Sequence, residues 1–293
     1  MPDSPLRLGC TQWSDPLWQG TLYTSSSDAD QRLAEYCEVF AAVEGNTTFY
    51  SLPSAERVAR WAELMPTDFC FCGKLPREVS HGGRLDPGNP MLQAFFSRMA
   101  PLERRLGPIW LQLPQRFSPS GLAELTTFLD ALPSGFAYAV EVRHIDFFRK
   151  DRNEQQLNRQ LHERGVERII FDTRALFAST DTSPATLEAK ERKPRLPVHA
   201  LALTAQPTVR FVGGMDNEAN LAALQPWLEK CAQWLTEGLR PLLFMHTPDN
   251  RLAPQLARRF HQQLAQRLPQ LLPMPAWPGE VEAAQQPQQV GLF

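Results

Sequence analysis

Eight short apolar runs rich in β-forming residues recur along the chain, centred near Leu8, Val43, Phe71, Trp110, Val140, Ile170, Phe211 and Phe244, at intervals of roughly 30 to 40 residues. Between most of them lies a segment with helical period and end signals. DADQRLAEYCEVF offers Leu33, Tyr36, Cys37 and Phe40 as one stripe, and PSAERVARWAELM repeats it with Val58, Trp61 and Leu64. Ser118 and Pro119 read as an N-cap and first-turn proline opening a further helix. Gly165 and Gly238 mark the ends of two more, and Pro226 predicts a kink or break inside the last. Strands alternating with helices need crossover connections, hence a parallel sheet, and eight such strands can close on themselves. The expected fold is a single (β/α)8 TIM-like barrel over residues 1–268, with a two-domain doubly wound sheet as the alternative. Residues 174–208 are too long for a simple connection after the sixth strand and predict a functional loop or lid. Residues 269–293 are Pro- and Gln-rich and predict a tail, partly packed on the barrel and then free.

Composition excludes several function classes. Thirty Lys and Arg against 32 Asp and Glu give a formal charge of −2, so no bulk cationic field draws in nucleic acid or a membrane surface. No run approaches the ~18 apolar residues of a membrane span and no secretory leader is visible, so no membrane partner is expected and the expected location is the cytoplasm. Five cysteines lack metal-knuckle spacing and read as reduced, buried thiols, with Cys70 and Cys72 sharing one face of their strand. No GxGxxG, GxxxxGK[ST] or GxSxG occurs, which removes the main support for nucleotide-loop and nucleophile-elbow chemistry.

In a parallel barrel, catalytic side chains gather at the carboxyl ends of the strands. Those positions carry Trp13, Glu44, Asn46, Lys74, Gln112, Glu141, Arg143, Asp172, Arg210 and His246, with Tyr50 just beyond the second run. Alternation places Glu44 with Asn46 and Glu141 with Arg143. A lone charge at such a place is usually half of a structural pair, but charges at most of the eight ends would converge on one mouth. Three carboxylates, Glu44, Glu141 and Asp172, facing the cations Lys74, Arg143 and Arg210 suit a phosphorylated or otherwise anionic substrate. Two carboxylates flanking a glycosidic bond are the alternative. No cofactor is expected. A divalent ion held by Glu141, Asp172 and His246 is the lesser reading, since the six histidines show neither HxH nor HExxH spacing.

LGCTQWSDPLWQGTLY, VEGNTTFYSLPSAERVARWAE, DFCFCGKLPREVSH, GPIWLQLP and AVEVRHIDFF resemble, in order and spacing, the YecE-like proteins, domain-of-unknown-function family 72. The resemblance covers about residues 6 to 250 and implies a TIM-barrel-like fold and a pocket, with no established reaction. The seventh and eighth strand ends, VRFVGGMDN and MHTPDN, depart from the family's HGR- and FNN-type endings. Gln289, Leu292 and Phe293, in the terminal QVGLF, resemble the peptide by which bacterial polymerases and repair proteins dock on the DNA sliding clamp; the alternative is that Leu292 and Phe293 tuck back onto the barrel. KERKPR, at 190–195, adds a basic cluster in the long loop. The leading expectation is an enzyme acting on a phosphorylated or nucleic-acid substrate, recruited by the clamp, with Glu44 and Glu141 as acid and base and Trp13 and Tyr50 as stacking surfaces. The alternatives are a glycoside or small-metabolite enzyme and a non-catalytic protein that binds an anionic ligand.

Overall fold

The structure is a computed structural model that describes residues 4–285. All eight apolar runs become strands: β1 (Arg7–Cys10), β2 (Ala42–Gly45), β3 (Cys70–Gly73), β4 (Ile109–Gln112), β5 (Tyr138–Glu141), β6 and β7 (Glu167–Arg168 and Ile170–Asp172), β8 (Thr208–Val212) and β9 (Leu242–His246). The sixth run is divided at Ile169, so its first half pairs with β5 and its second with β8. Every ladder is parallel. One sheet runs β3-β2-β1-β9-β8-β7 and the other β4-β5-β6. Isolated parallel bridges, Phe71 with Leu106 and Lys74 with Trp110, join β3 to the β4 side.

Alternation explains the layering. Leu8, Val43, Phe71, Leu111, Val140, Val209, Leu243 and Met245 point into the large cluster formed with the helices. The opposite parity supplies a separate small cluster: Ala42, Cys70, Cys72, Trp110, Ala139, Ile169, Leu242 and Phe244. Both sheets contribute to it, so they face each other across a shared interior, and the cysteines sit there as expected.

The helices follow their local signals. Asp28 and Gln31 close a reciprocal capping box on Ala29–Val39, which buries Leu33, Tyr36 and Cys37. Ser54 caps Ala55–Leu64 through the Arg57 amide at 3.2 Å. Gly165 and Gly238 end their helices in the left-handed region, φ +63° and +80°. Two expectations differ. The Ser118 hydroxyl bonds Ser120 rather than capping, and after a short 3₁₀ turn the helix starts at Leu122. Asn217–Thr236 runs through Pro226 as one 20-residue helix, held by buried Leu224, Trp227, Leu228 and Cys231 on the same body.

The predicted loop after the sixth strand is partly helical, Arg174–Ala178 then Pro184–Arg192, followed by residues 193–207 without a regular element. That irregular stretch is tied down from below. His199 Nδ1 meets Glu154 at 2.5 Å, Arg168 Nη1 meets the same carboxylate at 2.9 Å, and Glu167 accepts from the Leu203 and Thr204 amides. Beyond residue 268, where a partly packed tail is expected, the described chain packs back on the body. Trp277 is 1% exposed, with the Arg258 guanidinium 3.6 Å from its ring centroid, and Arg258 forms a two-armed pair with Glu280 at 2.7 Å on both arms. Among the described residues no helix is long and apolar enough to cross a membrane.

Candidate functional site

The parity that buries Cys70, Cys72 and Trp110 carries on to the carboxyl ends of the strands, where the next residues on the same face are polar. Glu44, Lys74, Gln112, Glu141, Arg210 and His246 therefore project to one place from six different strands. Fully buried Glu44 is the hub. Its Oε2 accepts from Arg210 Nε at 2.8 Å, and its Oε1 lies 2.7 Å from Arg210 Nη2 and 2.9 Å from Lys74 Nζ. The Oε1 approaches are ion-pair contacts at angles that fall short of directed hydrogen bonds. Glu141, equally buried, holds Arg143 through Oε1, 2.6 Å from both Nε and Nη2, and faces Arg210 Nη1 at 3.7 Å through Oε2. Lys74 Nζ also reaches Gln112 Oε1 at 3.3 Å and stands 5.1 Å from the Trp110 ring centroid. Phe171 takes the inward place on β7 and floors the guanidinium groups of Arg210 and Arg143, 4.8 and 5.7 Å away.

These neighbours set the protonation states. Burial pushes the Glu44 carboxyl up, but Arg210 and Lys74 outweigh it and hold the group below the ordinary carboxylate range. Glu141 behaves alike under Arg143 and Arg210. Burial, with the Arg210 charge, pushes Lys74 down to about 8. Burial, with Lys193 and Arg210, keeps His246 well below its usual 6.5. His246 Nδ1 lies 2.9 Å from the Thr247 carbonyl oxygen, which can only accept, so Nδ1 carries the proton and Nε2 keeps a lone pair.

Above the cluster opens a cavity of about 510 Å³. It is lined by nine of the residues expected from sequence: Trp13, Glu44, Asn46, Tyr50, Lys74, Gln112, Arg143, Arg210 and His246. Glu141 supports it from behind. Asp172 does not join them. Its oxygens are taken by Trp227 Nε1 at 2.8 Å and by Arg174 Nε and Nη2 at 3.0 and 2.8 Å, on the helix side of the strand. Glu141, Asp172 and His246 thus do not converge as metal ligands, and among the described residues no group of three or more His, Cys, Asp or Glu is placed to hold an ion. Trp13 offers little face for stacking, since its ring packs edge-on against Trp61 and Phe71; Tyr50, 74% exposed, is the available aromatic. Gln289, Leu292 and Phe293 lie outside the described residues.

The remaining wall comes from the long connection. Helix Pro184–Arg192 lays Glu188, Ala189 and Arg192 along the cavity, and Lys193 follows. Arg192 and Glu188 pair with each other at 2.7 Å. Lys193 has no hydrogen-bond or ion-pair partner for its ammonium among the described residues, and burial together with the Arg210 charge brings it to about 8. Lys193 was visible in sequence only as one of the basic residues in KERKPR.

Parallel strands, helical crossovers and a charged cluster at the strand ends define the class: an α/β protein with a polar pocket at the carboxyl side of a mostly parallel sheet. Residues 7–280 match the family described as protein of unknown function DUF72, and the chain belongs to that family. It is 44% identical over 271 residues to the UPF0759 protein YecE of Escherichia coli strain K12, covering 92% of this chain and 97% of that protein; the O157:H7 counterpart matches equally. Two crystal structures of a DUF72 family protein from Enterococcus faecalis V583 share the fold. Their TM-scores are 0.66 and 0.62 at 19% and 20% identity, covering 92% and 90% of this chain and 99% of theirs.

Proposed function

We propose that the protein is an enzyme that binds a small phosphate-bearing substrate at the carboxyl mouth of a closed eight-stranded (β/α)8 barrel. Closure is supported by two bonds between the sheets, Leu75 N to the Trp110 carbonyl and Gly107 N to the Phe71 carbonyl, each at 2.9 Å, and by β6 and β7, which pair in different sheets yet are separated by Ile169 alone. The observation that carries the substrate class is charge. Five cations, Lys74, Arg143, Arg192, Lys193 and Arg210, meet three carboxylates, Glu44, Glu141 and Glu188, in and behind one cavity, and Lys193 is unpaired among the described residues. An anion is the ligand that completes such a set.

The same geometry reassigns the chemistry. Glu44 and Glu141 are held as carboxylates by their cations, so they position Lys74, Arg143 and Arg210 rather than donate protons. A glycosidase needs one carboxylic acid kept protonated, and neither fits that role. Proton handling falls to His246 Nε2 as base and to Lys74, whose value near 8 lets it give up a proton close to neutrality. The tail's resemblance to a clamp-docking peptide stays a separate proposal, tested by binding of a QQVGLF peptide to a sliding clamp.

Titration calorimetry with sulfate, whose charge is constant near neutrality, tests the anion site. Lys193→Ala is expected to weaken sulfate binding about tenfold, the scale of one charge-assisted hydrogen bond. Unchanged affinity would remove Lys193 from the site. The wild-type affinity is also expected to fall as the pH rises through about 8, because Lys74 and Lys193 both lose their protons there. A flat profile from pH 7 to 9 would contradict a lysine-held anion.

A further inference from the structure

A second recess of about 620 Å³ lies beside the cavity and shares Arg143 with it. Gln115, Arg116, Arg143, His144 and Arg195 line it, with half-exposed Ile145 at the rim, and no carboxylate is among the lining residues. The acid that reaches towards it is Asp146, whose Oδ2 is 3.7 Å from His144 Nδ1 and whose Oδ1 is held by Arg149 at 2.7 Å. Arg116 spends Nη2 on the His81 carbonyl at 2.8 Å, which fixes its direction. Arg195 stands 5.7 Å from the Phe177 ring centroid and makes no ion pair or side-chain hydrogen bond among the described residues.

One short segment serves both recesses. Lys193 faces the first and Arg195 the second, with Pro194 between them pinned by Thr173, whose hydroxyl donates to the Pro194 carbonyl at 2.9 Å. Arg143 stands where they meet. Both its Nε and Nη2 go to Glu141, leaving Nη1 without a partner among the described residues. Arginine is suited to such a place because its donors form a planar fork that can serve two anionic groups.

We infer that the ligand carries two phosphate groups, one in each recess, with Arg143 between them. This rests on the reading of the first cavity as a phosphate site. Two sources share the chemistry: a small bisphosphorylated metabolite and two successive phosphates of a short nucleic-acid strand. The matched probes are fructose 6-phosphate against fructose 1,6-bisphosphate, and thymidine 5′-monophosphate against the 5′-phosphorylated thymidine dinucleotide.

In calorimetry on the full chain, the two-phosphate member of at least one pair is expected to bind about tenfold tighter than its one-phosphate partner. The pair that shows the margin identifies the source. The Arg116→Ala/Arg195→Ala double variant should erase the margin while keeping one-phosphate affinity within about twofold. Both residues are exposed, so the substitutions open no core. One-phosphate binding with no margin in either pair, or a margin that survives the double variant, overturns this inference and leaves the first cavity's reading intact. If none of the four probes binds, both readings fall.

Discussion

Glu44→Gln is expected to destabilise the protein by about 3–5 kcal/mol, because it leaves Lys74 and Arg210 buried beside a group that can no longer balance them. Thermal unfolding reads this as a loss on the order of 6 to 20 °C for a chain of this size. Sulfate affinity should hold only at acidic pH: Arg210 keeps its charge, whereas Lys74, already at about 8, is pushed lower once the Glu44 charge that raises it is gone. A melting temperature within a degree of wild type would mean that the Glu44 hub contributes little to holding the site together. The pH dependence follows the same pairs. Folding lowers the proton affinity of Glu44 and Glu141, so their contribution is complete above the ordinary carboxylate value of 4.5 and shrinks as the pH falls through the lower folded values.

The second large effect is catalytic. For a phosphate ester that the wild type turns over, His246→Gln is expected to lower kcat by about 10²–10⁴-fold, the usual worth of one positioned proton-transfer group. Sulfate affinity should stay within about twofold, because neutral His246 adds no charge to the site. Full kcat in the variant would strip His246 of its role. A broad panel of phosphate esters with no turnover by the wild type, but with binding, would favour a ligand-binding protein in the same pocket.

Much of this site was legible because the strands are short and end together. Glu44, Lys74, Gln112 and Glu141 each close an apolar run, and alternation with the buried residues two places earlier sets their common face. Asp172 shows where that reasoning stops. Its run, Ile169-Ile170-Phe171, is apolar on both faces, and the break at Ile169 leaves no alternation from which to tell inside from outside. The inward place went to Phe171, and Asp172 went to Trp227. Lys193 was beyond reach for another reason. Its position depends on how the helix Pro184–Arg192 lies across the mouth, and that placement is held by tertiary contacts such as the Lys190 ammonium on the Ser179 carbonyl at 2.6 Å and the Thr173 hydroxyl on the Pro194 carbonyl at 2.9 Å. The pairing of Glu154 with Arg168 and His199 is likewise tertiary, assembled from residues up to 45 positions apart.

The helix Pro278–Gln285 sits on the loop that follows β1. Glu282 accepts from the Ser25 amide at 2.7 Å, and Gly279 lies so close to the Thr21 and Tyr23 carbonyl oxygens that any larger residue there would strike them. Tyr23 in turn donates its hydroxyl to the Trp13 carbonyl, and Trp13 forms part of the cavity wall. A mechanical linkage therefore runs from this helix to the mouth in a few contacts. Ser25 and Glu282, 257 positions apart in sequence, thereby brace the wall around Trp13, although this helix contributes no side chain to the cavity.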